Sequence, residues 1–252
     1  MRLIFLGTAG GRFVVFKQIR ASGGLWIESA NKTILIDPGP GSLVRIVRSK
    51  RKLNPEKIDY LILTHRHLDH SADINTVIEA MTMGGFHRRG TLFVPSDAIY
   101  NDPVVLGYLR GFLKEIILLE ENKKYDIADG VYFETSQKLD HPVETYGLNL
   151  YESDRKILSL ISDTYYFSDL PKIFNGENVI MNVVFLEKRN IKHLSIPDVK
   201  MFLSVYKPKK TILTHFGMSI VKAKPWELAK KLSEEMGTEI IAANDGMELI
   251  IE

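Results

Sequence analysis

Short apolar runs separated by turn-forming residues dominate the chain, and this pattern predicts many strands and only a few helices. Two clear cases are the apolar run at 60–63 and a hairpin at 24–37, expected to turn at Asn31 and Lys32. The other predicted strands lie at 2–6, 91–94, 115–119, 125–127, 131–137, 145–151, 156–161, 179–184, 211–213, 239–242 and 247–251. Helical spacing predicts helices at 42–52, 71–83, 197–206 and 225–236. Strands mixed with helices, without strict alternation, indicate two packed sheets with helices outside.

The residue composition says little about the fold but excludes several kinds of chemical site. The chain has 252 residues, 45% of them apolar, which suits a single domain over 1–252 with its own core. It has no cysteine, so thiolate zinc sites, iron–sulfur clusters, cysteine nucleophiles and disulfide frameworks are excluded. Any metal ion must therefore be held by imidazole and carboxylate groups.

Charge and hydropathy give expectations about partners and location. Lys and Arg number 33 against 31 Asp and Glu, and the net charge of +2 argues against a dedicated nucleic-acid-coating surface. No apolar run is long enough for a membrane span, and the first residues lack the pattern of a secretory signal. We therefore expect a cytoplasmic protein with no membrane partner. Abundant Lys and Glu and scarce Gln favour a thermophilic source.

Three of the seven histidines fall within six residues, in His65-Arg-His67-Leu-Asp69-His70. The strand predicted just before them delivers a rigid backbone into a turn, so His65 and His67 are expected to point the same way. Asp69 and His70 follow at a helix start and can face a second point nearby. Imidazole and carboxylate are good ligands for zinc and similar divalent ions. Such a run is improbable for an ordinary polar loop.

This segment resembles the HxHxDH signature of the metallo-β-lactamase superfamily. The family's other motifs follow in the expected order, in LIDPGPG, LDHPVETYG, ISDT and ILTHFG; their key residues are Asp37, His141, Asp163 and His215. The resemblance covers essentially the whole chain. It implies the α/β (α+β) fold class, as a four-layer αββα sandwich with the metal site at the edge where the two sheets meet.

The resemblance also implies two divalent ions, each held by three ligands of its own and joined by one bridging carboxylate. The ligands of the first ion would be His65, His67 and His141. Those of the second would be Asp69, His70 and His215, with Asp163 as the bridge. Asp37 is expected to orient a ligand histidine rather than bind metal. Zinc is the favoured ion, with manganese or iron as alternatives.

Two ions held in this way would share a bridging hydroxide that attacks at neutral pH, and Asp69 is expected to take part in catalysis by holding that nucleophile. This chemistry is hydrolysis. It suits a phosphodiester, a lactone, a thioester or a β-lactam, and the metal ligands alone do not choose among them.

Features outside the ligand set favour phosphodiesters. The opening Phe5-Leu-Gly-Thr-Ala-Gly-Gly11 resembles that of RNase Z and of the phosphonate-pathway cyclic phosphodiesterases. His193-Leu-Ser195 resembles the His-x-Ser/Thr of that branch, which implies substrate binding by both residues and a proton or hydrogen bond from His193 to the leaving oxygen. The stretches 141–163 and 163–193 leave little room for the tRNA-gripping arm of RNase Z. A small or cyclic phosphodiester or a short nucleic-acid fragment is therefore the expected substrate.

Other interpretations stay open. A lactonase or thioesterase would use the same fold and metals on a carbonyl carbon, without needing His193. A tRNA 3′ endonuclease and a non-catalytic binding module are less favoured, the latter because all seven ligands are present. A redox di-iron role is disfavoured because position 67 is His where that branch has Glu. Members of the family are often dimers, so a homodimer is a further alternative, and His87-Arg88-Arg89 is either a phosphate-binding patch or a solvated loop.

Overall fold

The computed structural model describes all 252 residues, which fold into two compact units. Unit 1 comprises Met1–Gly7, Ala21–Glu120 and Asp245–Glu252, and unit 2 comprises Thr8–Arg20 and Glu121–Asn244. The strands are β1 (Arg2–Phe5), β2 (Leu25–Ser29), β3 (Lys32–Ile36), β4 (Tyr60–Ile62), β5 (Thr91–Val94), β6 (Glu115–Leu118), β7 (Lys124–Ala128), β8 (Val131–Thr135), β9 (Leu148–Glu152), β10 (Arg155–Ile161), β11 (Asn178–Phe185), β12 (Leu194–Ser195), β13 (Lys210–Thr214), β14 (Glu239–Ala242) and β15 (Glu248–Ile250). The α-helices are α1 (Arg12–Phe16), α2 (Ser42–Val47), α3 (Leu68–Ser71), α4 (Ile74–Met81), α5 (Gly107–Arg110), α6 (Leu170–Ile173), α7 (Ile196–Val205), α8 (Met218–Lys222) and α9 (Pro225–Met236). Single 3₁₀ turns lie at Pro55–Lys57 and Ser96–Ala98.

Unit 1 is built on a seven-stranded sheet in the order β15-β1-β2-β3-β4-β5-β6. The pairs from β15 to β3 are antiparallel, and those from β3 to β6 are parallel. Successive residues of β1 and β4 are buried, so both faces of this sheet are covered, as is usual where strands run parallel. Helix α4 presents Ile74, Val77, Ile78 and Met81 to the core, at helical spacing.

Unit 2 is built on an eight-stranded sheet in the order β14-β13-β11-β10-β9-β8-β7, with the short β12 paired to β11. Its strands β7 to β10 pair antiparallel, whereas β10, β11, β13 and β14 run parallel. Helices α7 and α9 pack on a core that includes Phe174, Phe202 and Phe216.

The chemistry-bearing residues follow the carboxyl ends of the parallel strands. In unit 1, Asp37 follows β3 and His65 follows β4. In unit 2, Asp163 follows β10 and His215 follows β13, while β11 lies between those two strands. Because neighbouring parallel strands end at one edge of a sheet, each unit gathers its polar side chains at one place.

Two predicted helices are wrong in their extent. The helix predicted at 42–52 ends at Val47, and Ser42 begins it rather than capping it, since the preceding Gly41 takes the left-handed conformation (φ 86°). The helix predicted at 71–83 begins only at Ile74, because a separate turn of helix, α3, already occupies Leu68–Ser71.

The smaller differences are at turns and ends. The hairpin turns at Ala30 and Asn31, both with positive φ, so Lys32 already belongs to β3. The helix predicted from Pro197 begins one residue earlier, at Ile196. Helices α1, α5, α6 and α8, each of four or five residues, are not predicted at all. None of the helices has both the length and the apolar character that crossing a bilayer requires. The prediction of a single domain stays a prediction.

Candidate metal centre

The turn after β4 gathers three imidazole rings in unit 1. His65 is fully buried and His70 nearly so. The ring of His65 lies 5.0 Å from that of His67 and 4.0 Å from that of His70, measured between centroids. Helix α3 places Asp69 in its first turn, with Oδ2 3.9 Å from Nε2 of His70. The four residues of the predicted signature therefore converge within unit 1.

Asp37 orients two of these imidazoles, His70 by direct contact and His65 through Thr64. Its carboxylate accepts hydrogen bonds from the Thr64 backbone N–H (2.7 Å) and the Thr64 hydroxyl (2.7 Å), and its Oδ2 lies 2.9 Å from Nδ1 of His70. Since the Thr64 hydroxyl donates to Asp37, it can accept from Nδ1 of His65, 3.1 Å away. Both contacts favour the tautomer with the proton on Nδ1 and the lone pair on Nε2, which is the state a metal ligand needs.

Asp163 is the centre of the polar cluster in unit 2. It is buried, and its Oδ1 accepts a hydrogen bond of 3.0 Å from the side-chain amide of Asn182. Nδ1 of His215 lies 3.6 Å from the same oxygen, and Nδ1 of His193 lies 3.3 Å from Oδ2. Two imidazoles and one amide thus surround a single carboxylate.

His141 and His193 face each other in unit 2, with ring centroids 5.2 Å apart. Nδ1 of His141 lies 3.0 Å from the carbonyl oxygen of Lys192, so the tautomer protonated at Nδ1 is favoured here too. The structure therefore brings His193, predicted as a catalytic group, into one cluster with the three ligands predicted in this half of the chain.

The glycine-rich opening packs directly on His215. A Cβ on Gly10 would lie 2.1 Å from the carbonyl oxygen of His215 and 2.3 Å from its Nδ1, so no other residue fits. Backbone hydrogen bonds from Gly10 N–H to Phe216 and from Phe216 N–H to Thr8 hold this contact. His215 itself takes the left-handed conformation (φ 61°), which is uncommon for histidine and occurs mainly where the surroundings impose it.

Ser195 has a structural role besides the predicted one. It is buried and caps α7: its hydroxyl (2.6 Å) and its backbone N–H (2.9 Å) both donate to Asp198 Oδ2. Its predicted contact with substrate stays a prediction, and the cap does not favour it.

Tyr166 also feels the charge of Asp198. Burial raises the pKa of Tyr166, and the negative charge of Asp198 adds to the rise.

Asn182 is the site residue that sequence reasoning missed. It is the one polar residue in the apolar run Val179–Val184 of β11, and it pairs in register with Thr214, just before His215. A lone amide inside a buried strand was the available signal, because such a group requires a hydrogen-bond partner.

Arg88 and Arg89 hold backbone carbonyl oxygens. Arg88 donates to Leu113 (2.9 Å), and Arg89 donates to Glu56 and to Ile58. These bonds account for the two arginines without a phosphate.

The donor chemistry of both clusters fits divalent metal ions. Imidazole nitrogens whose tautomers leave Nε2 basic, together with carboxylates, are the ligand types that zinc, manganese and ferrous iron share. A buried carboxylate such as Asp163 is costly unless positive charge or hydrogen bonds compensate it.

Comparison with known proteins agrees with these features. Residues 32–216 match the model of the beta-lactamase superfamily domain. An uncharacterized protein of Methanocaldococcus jannaschii is 28% identical over 99% of this chain and 94% of its own length. Ribonuclease Z of Pediococcus pentosaceus is 29% identical, but the match covers 61% of this chain and only 50% of the ribonuclease. The metallo-beta-lactamase fold protein YhfI of Bacillus subtilis superposes with a TM-score of 0.79 at 20% identity, over 98% of both chains.

The chain therefore belongs to the metallo-β-lactamase superfamily, a superfamily of metal-dependent hydrolases, and it has relatives in the RNase Z branch. The predicted fold class is confirmed.

Proposed function

We propose that this hydrolase is a dinuclear metal-dependent phosphodiesterase acting on a small or cyclic phosphodiester or a short nucleic-acid fragment. The observation that carries the proposal is the position of His193, whose Nδ1 lies 3.3 Å from Oδ2 of the buried Asp163. An imidazole beside that carboxylate can give a proton or a hydrogen bond to an alkoxide leaving oxygen, such as the one that departs from a phosphodiester.

Seven residues would hold the ions. The proposed ligands of one ion are His65, His67 and His141. Those of the other are Asp69, His70 and His215, with Asp163 shared by both. Zinc is the favoured metal, and manganese and iron are the alternatives. Bound there, such ions would lower the pKa of a coordinated water and neutralise charge that develops on the attacked group.

The other residues orient the ligands or move a proton. Asp37 fixes the ring of His70, and Asn182 fixes one oxygen of Asp163. Asp69 accepts a hydrogen bond from the attacking water. His193 gives a proton or a hydrogen bond to the departing alkoxide.

The alternative is a carbonyl hydrolase, a lactonase or thioesterase. The same donor set would serve it, and His193 would then assist the alkoxide that leaves a lactone, whereas the thiolate that leaves a thioester hardly needs a proton. The ribonuclease Z relative supports the phosphodiester class.

His193→Ala tests the proposal with two diesters. For a diester with a poor leaving group we expect turnover to fall by roughly 10²–10⁴-fold, the range of general acid–base assistance. An activated nitrophenyl diester, whose leaving group hardly needs a proton, should lose much less. Bound metal, measured by elemental analysis, serves as the control and should not change. Unchanged turnover of both diesters would contradict the role of His193.

A further inference from the structure

The segment Thr8–Arg20 of unit 2, here called the basic-aromatic segment, exposes two phenylalanines. Phe13 and Phe16 in α1 are 62% and 63% exposed, although residues of this type are usually buried. Their ring centroids lie 5.3 Å apart with the planes tilted by 51°. They form an aromatic surface that no other part of the chain covers.

The charges in this segment are all of one sign. It contains Arg12, Lys17 and Arg20 and no acidic residue. In a helix, residues three apart share a face, so Phe13 and Phe16 point out together, while Val14 between them is buried. By the same spacing Arg12 and Lys17, both exposed, flank the two rings on either side.

The segment is fixed to the ligand cluster of unit 2. Gly10 packs on His215, and Arg20 closes the segment by donating to the Thr8 hydroxyl (2.8 Å) and lying over the ring of Phe216 (5.2 Å). Phe13 is three positions after Gly10. The Cα of Phe13 therefore lies within about 11 Å of that of Gly10, which itself packs on His215.

We propose that the basic-aromatic segment binds the nucleoside side of the substrate, with a nucleobase stacked on Phe13 and Phe16 and an adjacent phosphate between Arg12 and Lys17. The assignment rests on the proposed phosphodiesterase function and narrows its substrate to nucleotide diesters. Exposed aromatic rings within a cationic surface are how proteins hold single-stranded nucleotides without reading their sequence. A contact with the same segment of a second copy of this chain is disfavoured, because it would place basic side chains against each other and like charges repel.

The test compares two diesters with the same nitrophenyl leaving group: a nucleoside 5′-phosphate ester and a methyl phosphate ester. In the variant Phe13→Ala/Phe16→Ala, kcat/KM for the nucleoside ester should fall about tenfold or more, mainly through KM, since stacking contributes about 1–3 kcal/mol per base. The methyl ester should be unaffected. The matched control is Phe86→Ala, which removes a ring that is 90% exposed in unit 1. All three rings are exposed, so neither variant should impair folding. Equal losses on both esters, or none, would overturn the proposal.

A binding measurement separates this proposal from the proposed activity. The wild-type chain, stripped of metal, should bind a short fluorescein-labelled oligothymidylate, and the anisotropy change should weaken with added salt. The double variant should bind at least tenfold more weakly, and Phe13→Trp/Phe16→Trp should bind as well as the wild type. If binding behaves so while neither diester is hydrolysed, the proposed function fails and the segment's role stands. Equal binding by the wild type and the double variant would overturn that role.

Discussion

Asn182 shows how a single neutral side chain can set the geometry of a charged one. Its side-chain amide donates a hydrogen bond to Oδ1 of Asp163, and the other carboxylate oxygen, Oδ2, faces Nδ1 of His193. Residues that hold metal ligands in this way commonly contribute ten- to hundredfold to metal affinity.

We expect Asn182→Ala to weaken metal binding about tenfold, because the carboxylate of Asp163 loses its fixed orientation. Competition with a chromogenic chelator measures the affinity directly. Asn178→Ala is the matched control, since Asn178 lies on the same strand and the same face but donates to the carbonyl of Ile157 (3.0 Å). Equal affinities in the two variants would remove Asn182 from the metal centre.

At the residue scale, motif spacing predicted the polar clusters well. The histidines and aspartates carry their chemistry in their identity, so order along the chain was enough to select them. The role of Asn182 depends on Asp163, a partner 19 residues away in sequence, and no motif encodes it. The cap formed by Ser195 and Asp198 does follow a motif, the capping-box spacing, which was the available signal for it.

At the scale of elements, one arginine ties three strands of unit 1 together. Arg2 on β1 donates to Glu28 on β2 and to Glu248 on β15, each at 2.8 Å, and Arg51 also donates to Glu248. The hydrogen bonds from Arg2 and then Arg51 lower the pKa of Glu248 from 4.5 to about 2.

A carboxyl group whose pKa is lowered by folding stabilises the folded chain above its unfolded pKa, and this stabilisation is lost as the pH falls through the folded value. Glu248→Gln should therefore lower the thermal midpoint at neutral pH, and its difference from the wild type should shrink between pH 4.5 and about 2. The shift should be small, since the ion pairs are partly exposed. Glu234→Gln, an exposed position on α9, is the charge-matched control. A difference that grows on acidification would contradict this account.

Strands were easier to predict than helices for a physical reason. Buried strands are marked by continuous apolar runs, and β5 and β14 have the predicted bounds. Among the helices only the twelve-residue α9 does. Helix α2 stops early because residues 48–52 have no apolar face to bury, and propensity alone does not hold a short helix. Helices of four or five residues, such as α1 and α3, contain too few positions for a period to show.

At the scale of the whole molecule, family membership rests on the match over residues 32–216, and the superposition with YhfI shows the fold. It implies divalent metal ions, whereas the identity of the metal and of the substrate lies beyond what the fold defines. The expected cytoplasmic location, thermophilic source and homodimer stay predictions.

Metal content tests the proposed ligand set. Chain purified without chelator should contain about two divalent ions by elemental analysis, as expected of a dinuclear site. Asp163→Ala should lose affinity for both ions, since the proposal makes this carboxylate common to them. Ser195→Ala, which removes only a helix-capping hydroxyl, should retain both. A wild-type chain that holds no metal after reconstitution would show that the ligand assignment is wrong.

The most direct test of the central claim is the rate at which the metal-reconstituted chain hydrolyses a phosphodiester compared with a lactone. Both substrates should be measured under the same conditions with zinc, manganese and iron in turn. We predict that the diester is hydrolysed with at least one of these metals and that the lactone stays at the rate of the buffer blank. Faster hydrolysis of the lactone than of any diester would contradict the account and assign the chain to the carbonyl hydrolases.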